Sequence, residues 1–456
     1  MNELWVWMNG ERVGTWVRTR TGGHRFVYQP AWLQSPRVRP LSLSLPITAD
    51  RTVNGVVVAR FFDNLLPDDD RIRRRVGARF RAGSTEAFDL LAAIGRDCVG
   101  AVQLLPPGQA PVGFDTLQFE PMDEQAVERH LHSVAAEPAP GAGPGPDDLR
   151  ISIAGAQEKT ALLKVDGRWC RPLGATPTTH ILKLPLGLVG GRRLDLSHSV
   201  HNEWLCAQLL REMGLPVAGT ETATFGDQTV LVVERFDRAW VGTAKGPATV
   251  TGAPAGGRWI ARLPQEDLCQ ALGVSAQDKY EINGGPGMAN CLRVMTAGRF
   301  AQADVHHFLC AQLAFWLLAA SDGHGKNFSI FLLPGNGYRM TPLYDVLSLW
   351  PVIGQGPNQV SWQRAKLAMA VRAKNVHWEL ANIQARHWRT LAERSGVAGV
   401  WPAMQEMVAR VEAAIAAVTA RLPADFPERT ARAIVEGMRQ QLGRWDEGLR
   451  ADGQVT

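Results

Sequence analysis

Apolar and polar residues alternate from the start of the chain with a period of two, which is typical of half-buried strands. Residues 4–8 and 12–17 alternate on either side of Asn9-Gly10, a dipeptide that favours a two-residue hairpin turn. Further strands are predicted in "HRFVY", "LSLSL" and "VGAVQLLP", with helical spacing over residues 71–93. The pattern predicts a small α+β unit over residues 1–105.

The middle of the chain alternates in the same way but contains one helical stretch. Strands are predicted in "KTALLKV", "THILKLP" and "QTVLVVERF", and the helical "SVHNEWLCAQLLREMG" ends on a glycine placed as a C-cap. Glycine- and proline-rich stretches at residues 137–148 and 243–257 mark linkers or exposed loops. Strands with one inserted helix are the layout of a kinase N-lobe, here residues 106–245.

Beyond residue 260 the apolar positions recur every three to four residues, which predicts mainly helical structure. Examples are "DVHHFLCAQLAFWLLAAS" and "WPAMQEMVARVEAAIAAVTARL". Two short strands, "FSIFLL" and "YRMTPL", form the exception. Residues 246–456 therefore read as a helical C-lobe, and the predicted fold is α+β and protein-kinase-like, with two lobes and an extra N-terminal α/β subdomain.

Length and composition are those of a globular protein with more than one core. The chain has 456 residues, of which 45% are hydrophobic and 20% are charged. Its net charge of +5 tolerates nucleic acid nearby without implying it. The densest basic run, residues 71–81, fits a solvated helix face better than a nucleic-acid patch.

Cysteine usage and the lack of long apolar runs favour a cytoplasmic protein. The six cysteines include no C-x-x-C pair, which argues against a disulfide framework or a zinc ribbon, so we expect reduced core thiols. The first residues lack the basic and apolar regions of a signal peptide, and no apolar run is long enough to span a membrane. We therefore expect a soluble, cytoplasmic chain with no membrane partner.

An aspartate and an asparagine stand five positions apart in "SDGHGKNFSIFLL". In the kinase catalytic loop H-R-D-x-x-x-x-N, the aspartate orients the attacking hydroxyl and accepts its proton, while the asparagine holds Mg²⁺. Asp322 and Asn327 have this spacing, after a predicted helix and before a predicted hairpin. The alternative is a chance match, because isolated D-x-x-x-x-N patterns are common and Asp-Gly is usually a turn.

Other parts of a phosphoryl-transfer site occur in the order that kinases use. A second metal carboxylate is expected beyond the hairpin, where Asp345 lies in "TPLYDVLS" without the usual Phe-Gly. Lys183, in a predicted strand, is placed to bind the α/β-phosphates of ATP, with Glu203 on the next helix to hold it. Glu234 and Phe236 end the predicted hinge strand, where backbone groups and a ring can meet adenine.

The candidate phosphate loop is the least typical part. G-x-G-x-x-G is absent, and the candidate is residues 152–159, where Gly155 between alanines lets backbone N–H groups approach phosphates. Single residues have simpler explanations: Lys183 could solubilise an edge strand, and His324 could be a turn histidine rather than a metal ligand. The order of the elements along the chain nevertheless favours a kinase.

These segments resemble the HipA family of bacterial toxin serine/threonine kinases. The resemblance is carried in order by "RPLSLSLP", "FFDNLLPD", "ISIAGAQEKTALL", "TPTTHILKLP", "VVERFDR", "LPQEDLCQ", "SDGHGKNFS" and "TPLYDVLS". It implies a kinase-like fold that uses ATP and Mg²⁺ to phosphorylate a serine of an aminoacyl-tRNA synthetase, the glutamyl enzyme in the best-known case. Translation then stalls, and the cell becomes dormant and drug-tolerant.

The resemblance also implies partners and residue roles. A HipB-like helix-turn-helix antitoxin would neutralise the toxin, and the complex would repress its own operon on DNA. Asp322 would be the catalytic aspartate, Asn327 and Asp345 the Mg²⁺ ligands, and Ser152 an autophosphorylated serine. ATP-binding positions are implied at Ala154, Gly155, Ala156, Gln157, Glu158, Lys159, Lys183, Glu234, Arg235, Phe236, His324, Lys326, Asn327, Tyr344 and Asp345.

The sequence departs from the family pattern in two places. Ser321 precedes the catalytic aspartate where threonine or glycine is common, and we expect this to be tolerated. The insert at residues 243–257 is longer than usual and would alter the surface that meets a partner. No motif names the acceptor protein, because acceptor choice depends on surface docking.

Two rival functions remain open. A small-molecule or lipid kinase would share the D-x-H-x-x-N loop, but the loop at residues 152–159 and the N-terminal hairpin unit disfavour it. A non-catalytic corepressor that only bridges antitoxin dimers would have lost one of the phosphoryl-transfer residues. Those residues are all present, namely Asp322, Asn327, Asp345 and Lys183.

Overall fold

The structure is a computed structural model that describes residues 2–137, 149–242 and 258–453. The chain separates into two compact units. The first unit comprises Met1–Leu184, Ala223–Gln277 and Ile330–Gly337, and the second comprises Pro185–Thr222, Asp278–Ser329 and Tyr338–Thr456. The predicted domain boundaries at residues 105 and 245 stay predictions. The two glycine- and proline-rich stretches lie outside the described residues, except for Glu137.

The first unit opens with the predicted hairpin. Asn9 and Gly10 join its strands with φ angles of 43° and 81°, and two positive values are what a type I′ turn requires. The elements up to residue 105 are β1 (Glu3–Met8), β2 (Glu11–Arg18), β3 (His24–Tyr28), α1 (Pro30–Leu33), β4 (Thr52–Asn54), α2 (Val56–Asp63), α3 (Asp70–Phe80), α4 (Ala87–Ile94), β5 (Asp97–Cys98) and β6 (Gln103–Leu105). Five of the strands form a sheet in the order β4-β3-β2-β1-β6.

The core of this region is aromatic. Trp16 of β2 stacks on Phe62 of α2 with ring centroids 4.0 Å apart, and both side chains are fully buried. Phe26 meets Tyr28 edge-on at 4.8 Å. Such ring pairs are favourable beyond the area they bury, and the Trp16–Phe62 pair fixes α2 against the sheet.

The helical spacing over residues 71–93 corresponds to two helices rather than one. Arg81 adopts φ 52° and ends α3 before α4 begins. The basic run within α3 is solvated only in part, because Arg71 is exposed whereas Arg73 is buried and pairs with Asp63 over 2.6 Å. The predicted solvated helix face therefore holds for only part of the run.

The segment "LSLSL" is not the predicted strand. It forms a turn with an isolated bridge between Ser42 and Leu45. The backbone N–H of Leu43 donates to Glu266 Oε1 over 2.8 Å, and the Ser44 hydroxyl donates to the carbonyl of Gln270 over 2.6 Å. Alternation predicted a ladder here, but the Glu266 side chain and the Gln270 carbonyl satisfy these backbone and hydroxyl groups instead.

The predicted strands and helix of the middle region are confirmed as β9, β11, β15 and α6. In chain order the elements are β7 (Phe119–Pro121), α5 (Glu124–Ala135), β8 (Ile151–Ser152), β9 (Lys159–Val165), β10 (Arg168–Pro172), β11 (His180–Lys183), β12 (Gly187–Val189), β13 (Leu194–Leu196), α6 (Ser199–Glu212), β14 (Thr220–Phe225), β15 (Gln228–Glu234) and β16 (Arg238–Val241). The main sheet has the order β14-β15-β11-β9-β10-β7, so β11 is a central strand. Gly214 follows α6 with φ 89°, as expected for a glycine that ends a helix.

The remaining chain is mainly helical, as predicted. Its elements are β17 (Trp259–Arg262), β18 (Gln265–Asp267), α7 (Leu268–Leu272), α8 (Met288–Ala297), α9 (Ala301–Leu318), β19 (Ser329–Leu332), β20 (Tyr338–Met340), β21 (Lys366–Arg372), β22 (Val376–Glu379), α10 (Ala385–Arg394), α11 (Val400–Ala409), α12 (Val411–Thr419) and α13 (Glu428–Gly453). The second unit is built around α9, which is buried along most of its length and contacts α8, α11 and α13. The predicted long helix near residue 410 is divided into α11 and α12.

The cysteines agree with the expectation of core thiols. All six are buried and free of disulfides. Burial raises the pKa of the Cys98 thiol to about 12 and that of Cys310 also to about 12, so neither is a reactive thiolate. Among the residues that the structure describes, none of the helices combines the length and hydropathy needed to cross a bilayer.

Candidate active site

The predicted phosphate loop connects β8 to β9 in the first unit. Gly155 adopts φ 112°, a conformation that side-chain-bearing residues rarely take. The Lys159 ammonium folds back over the loop and donates to the carbonyl of Ala154 over 2.7 Å. A Cβ at position 155 would lie 2.5 Å from the Lys159 Nζ and would displace this flexible side chain, so the positive φ is the main reason for glycine here.

Hydrogen bonds and an ion pair also hold the second half of the loop, at Gln157 and Glu158. Gln157 Nε2 donates to the carbonyl of Leu184 over 2.5 Å, and the Leu184 N–H donates to the carbonyl of Glu158 over 3.1 Å. The Glu158 carboxylate pairs with Arg75 of α3, whose side chain is mostly buried. Arg75 belongs to the basic run, so this run supports the loop rather than serving only as a solvated face.

Lys183 lies next to the loop. Its Cα pairs with that of Lys159 across β9 and with that of Leu231 across β15. The side chain is only 5% exposed, and the strand is central in the sheet. A solubilising role on an edge strand is therefore wrong for Lys183, and a buried ammonium beside a phosphate loop is what binding of ATP phosphates needs.

The predicted hinge lies at the end of β15. Glu234 pairs with His180 of β11 and is exposed, and the Arg235 N–H donates to the carbonyl of Thr179 over 2.9 Å. Phe236 is half-buried with its ring edge-on to Phe331 at 5.8 Å. The Arg235 side chain points into the core, so this residue can serve adenine only through its backbone.

Arg235 belongs to a buried ion cluster that sequence reasoning missed. Its guanidinium donates to both carboxylate oxygens of Asp237 over 3.0 and 2.9 Å. Asp97 of β5 accepts from Arg238 over 2.9 Å and from Arg262 over 3.0 Å. Burial alone would raise the pKa of Asp97, but the facing guanidinium groups hold it well below its usual range.

Strand β5, which carries Asp97, also positions Ser152. β8 runs parallel to β5, and Ser152 pairs there with Cys98. The Ser152 side chain is fully buried, and its hydroxyl donates to the carbonyl of Leu65 over 2.7 Å. Ser152 is therefore a buried strand residue and not an exposed serine in a loop.

The predicted catalytic loop lies in the second unit, directly after α9. Asn327 Nδ2 and the His324 N–H both donate to the carbonyl of Asp322 over 2.7 Å. Gly323 through Asn327 are buried, whereas the Asp322 side chain is 54% exposed. The loop thus fixes its backbone and presents one carboxylate. The Asn327 amide nitrogen is committed to this bond, which leaves the amide oxygen as the atom that a metal could take.

Tyr344 ties the segment of Asp345 to the catalytic loop. Its hydroxyl donates to the carbonyl of Lys326 over 2.8 Å and accepts from the Ser329 hydroxyl over 2.6 Å. Asp345 itself adopts φ 60°, a conformation that costs energy outside glycine and recurs at functional sites. A carboxylate and an amide oxygen suit Mg²⁺, so Asp345 and Asn327 fit the predicted metal by donor type.

Glu203 is buried on α6 of the second unit. Its neighbour Asn202 exchanges two hydrogen bonds with the backbone of Ser348, at 2.8 and 2.9 Å, which holds α6 against the segment that follows Asp345. Lys183 belongs to the first unit and Glu203 to the second. The predicted ion pair between them stays a prediction.

Comparison with known proteins identifies the family. A profile of the HipA-like C-terminal domain matches residues 151–422, and a profile of the HipA N-terminal domain matches residues 4–105. The chain belongs to the HipA family. The putative kinase Y4mE of Sinorhizobium fredii is 34% identical over 396 residues, which cover 86% of this chain and 85% of that protein.

A sequence and a solved structure from Shewanella oneidensis extend the comparison. The serine/threonine-protein kinase toxin HipA of that organism is 30% identical over 336 residues, covering 71% of this chain and 69% of the toxin. A solved structure of HipA with HipB and operator DNA matches with a TM-score of 0.74 at 25% identity, covering 98% of this chain and 97% of that one. The protein is thus a HipA-like kinase, and its α+β, kinase-like fold is confirmed.

Sequence reasoning missed one residue that contacts the predicted catalytic loop. Tyr280 of the second unit places its hydroxyl 2.5 Å from Asp322 Oδ1. A signal was present, because Tyr280 opens the run "YEINGGPG", whose glycines indicate a tight backbone path. The sequence around Asp97 and Arg262 gave no comparable signal that these side chains are buried, since single charged residues usually lie at the surface.

Proposed function

We propose that this HipA-family chain is a toxin kinase that transfers the γ-phosphoryl group of ATP to a serine of a protein. The observation that carries the proposal is the catalytic loop, whose backbone is fixed by Asn327 while the Asp322 carboxylate faces solvent. An exposed carboxylate on a rigid loop can meet an incoming hydroxyl. A buried lysine beside a glycine loop in the first unit supports ATP as the donor.

The proposed transfer needs few groups. Asp322 orients the acceptor hydroxyl and takes its proton as the new O–P bond forms and the bond from Pγ to the bridging oxygen of ADP breaks. Lys183 binds the α/β-phosphates, and the backbone from Glu234 to Phe236 meets adenine. Asn327 and Asp345 would hold Mg²⁺, which supplies charge neutralisation for the phosphates when bound.

The first test replaces Asp322 with asparagine. We expect Asp322→Asn to fold normally and to lose transfer by about 10²- to 10⁴-fold, the usual contribution of a general base. Asp345→Asn should also abolish transfer, because it removes a metal carboxylate. The measurement is phosphate incorporation from labelled ATP, together with growth arrest in cells that lack the antitoxin. Undiminished growth arrest by Asp322→Asn or Asp345→Asn would contradict the role proposed for that residue.

The acceptor that we propose is a serine of an aminoacyl-tRNA synthetase, in particular the glutamyl enzyme. The support is the family resemblance, which implies stalled translation and dormancy. Phosphoproteomics after induction without antitoxin tests it, with the Asp322→Asn chain as the background. Phosphate confined to metabolites or lipids would favour the rival small-molecule kinase instead.

We further propose a HipB-like antitoxin as partner, with operator DNA bound through the complex. The relative from Shewanella oneidensis has been solved with HipB and its operator. A net charge of +5 over 456 residues is small for independent, sequence-specific binding. Gel-shift titrations should therefore show operator binding only when antitoxin is added. Tight, selective binding by the isolated chain would contradict the proposal, whereas repression without any transfer would support the non-catalytic corepressor.

A further inference from the structure

Tyr280 contacts the carboxylate proposed to be catalytic. Its hydroxyl lies 2.5 Å from Asp322 Oδ1 and must be the donor, because an ionised carboxylate only accepts. His324 Nε2 lies 3.7 Å from the same oxygen. Both contacts fall on Oδ1, which leaves Oδ2 as the oxygen on which an acceptor hydroxyl would bind.

The ring of Tyr280 is held in place by its surroundings. It meets the His324 imidazole edge-on, with centroids 4.9 Å apart, and the His324 side chain is buried. The next residue, Glu281, is anchored as well, because its Oε2 accepts from the Ala370 N–H over 2.7 Å and its Oε1 from Arg372 Nε over 3.1 Å. Tyr280 therefore lies between two fixed points of the second unit.

Glycines explain how the backbone around Tyr280 can be so compact. A Cβ at Gly285 would lie 1.9 Å from the carbonyl oxygen of Asp278 and 2.8 Å from that of Tyr280. A Cβ at Gly287 would lie 2.3 Å from the carboxyl carbon of Glu281. A larger residue at Gly285 would have to move the backbone, and one at Gly287 would have to displace the anchored Glu281 carboxylate. The run "YEINGGPG" therefore fixes the position of Tyr280.

We infer that Tyr280 is a positioning residue that sets the orientation of the Asp322 carboxylate for transfer. The inference rests on the proposed role of Asp322. That side chain is 54% exposed, and without a partner its carboxylate would sample several rotamers. A hydrogen bond to a charged group restrains it, so loss of the hydroxyl should lower turnover by about tenfold or more without changing ATP binding.

The test is Tyr280→Phe, which removes only the hydroxyl. The matched control is Tyr338→Phe in the same unit, where the hydroxyl donates to the carbonyl of Val294 over 2.7 Å. Incorporation of phosphate from labelled magnesium ATP, into the chain itself and into a bacterial lysate, gives kcat and the KM for ATP. Melting temperature is measured in parallel.

We expect Tyr280→Phe to lose kcat at unchanged KM and with a melting temperature no lower than that of the control. Unchanged kcat would overturn the inference, and so would increased kcat, which would make the hydroxyl a competitor of the acceptor. An equal loss of kcat in Tyr338→Phe would show that the effect is structural, and this result would also overturn the inference. Asp322→Asn is run alongside: if it retains full activity, the proposed function fails, whereas an inactive Asp322→Asn with a fully active Tyr280→Phe removes only the role of Tyr280.

Discussion

The Ser152 hydroxyl donates to the backbone carbonyl of Leu65 over 2.7 Å, and the side chain has no exposed surface. Ser152 also pairs with Cys98 in the short parallel ladder between β8 and β5. A phosphoryl group adds about −1.5 to −2 charge and cannot stay in a closed site of this kind. Phosphorylation of Ser152 therefore requires β8 to leave this position and take the start of the phosphate loop with it.

We predict that phosphorylation of Ser152 weakens ATP binding. The displaced β8 can no longer support the loop that begins at Ala154, and the added charge repels the phosphates of ATP. The measurement is ATP affinity for the unmodified, the Ser152-phosphorylated and the Ser152→Ala proteins. Ser152→Ala should bind ATP like the unmodified chain and lose about 1–3 kcal/mol of stability, because the Leu65 carbonyl loses its partner. Equal affinity of the phosphorylated form would refute the switch.

Gly155→Ala should weaken ATP binding by about tenfold, because the residue must hold a positive φ and its Cβ would displace the Lys159 ammonium. Gly167→Ala is the control: Gly167 has φ 79° but an added Cβ would meet nothing within 4 Å. Both variants should lose some stability, and only Gly155→Ala should lose ATP affinity in a binding titration. Equal losses of affinity would show that the effect is not specific to the loop.

Glu203→Ala should lower ATP affinity and turnover if the buried carboxylate positions Lys183. Glu203→Gln should behave in the same way, because the charge is what holds an ammonium. The control is Glu212→Ala at the end of the same helix, where the carboxylate is 35% exposed and pairs with Arg421. If ATP affinity and turnover are unchanged in Glu203→Ala, the role of Glu203 is withdrawn and that of Lys183 stays.

Asp97→Asn should destabilise the chain by about 3–5 kcal/mol at neutral pH, because it leaves the buried Arg262 guanidinium without its counter-charge. The folded-state pKa of Asp97 lies below its ordinary value, so its stabilisation is present at neutral pH and is lost as pH falls. The stability difference between Asp97→Asn and the parent should therefore narrow below about pH 4. Urea unfolding of the parent and of Asp97→Asn, at neutral pH and below about pH 4, checks this.

The control for Asp97 is Asp166→Asn, which removes a carboxylate that is 48% exposed and pairs with Arg258 over 3.1 Å. Exposed pairs contribute about 0–1 kcal/mol, so this variant should differ little from the parent. If Asp97→Asn cost no more stability than Asp166→Asn, the buried cluster would not be a stabilising link from β5 to β16 and β17.

Glu266→Gln should change how stability depends on pH. Burial raises the pKa of Glu266 to about 8, so the folded state binds a proton that the unfolded state releases at lower pH. The parent should therefore lose up to about 1.4 kcal/mol of stability per pH unit between about pH 4.5 and 8, and the glutamine variant should not. Glu393→Gln, an exposed site, is the control. Parallel pH profiles of parent and Glu266→Gln would contradict the raised pKa.

The sequence by itself determined the elements whose signals are local. Asn9-Gly10 fixed the first hairpin, period-two alternation identified β9, β11 and β15, and the glycine after α6 marked its end. The five-residue spacing of Asp322 and Asn327 indicated their shared loop, because that loop is short enough for sequence distance to set geometry. The need for a glycine in the predicted phosphate loop could likewise be recognised from the sequence, since a positive φ is a local property of the backbone.

Tertiary structure alone decided the contacts between distant positions. Asp97 meets Arg262 from 165 positions away, Tyr280 meets Asp322 from 42 away, and Ser152 is buried against Leu65 from 87 away. From the sequence alone, charged and hydroxyl side chains are expected at the surface, which is their usual lowest-energy position in water. Their burial here becomes favourable only when the fold brings complementary donors and acceptors together, and that pairing energy belongs to the assembled core rather than to any local stretch of chain.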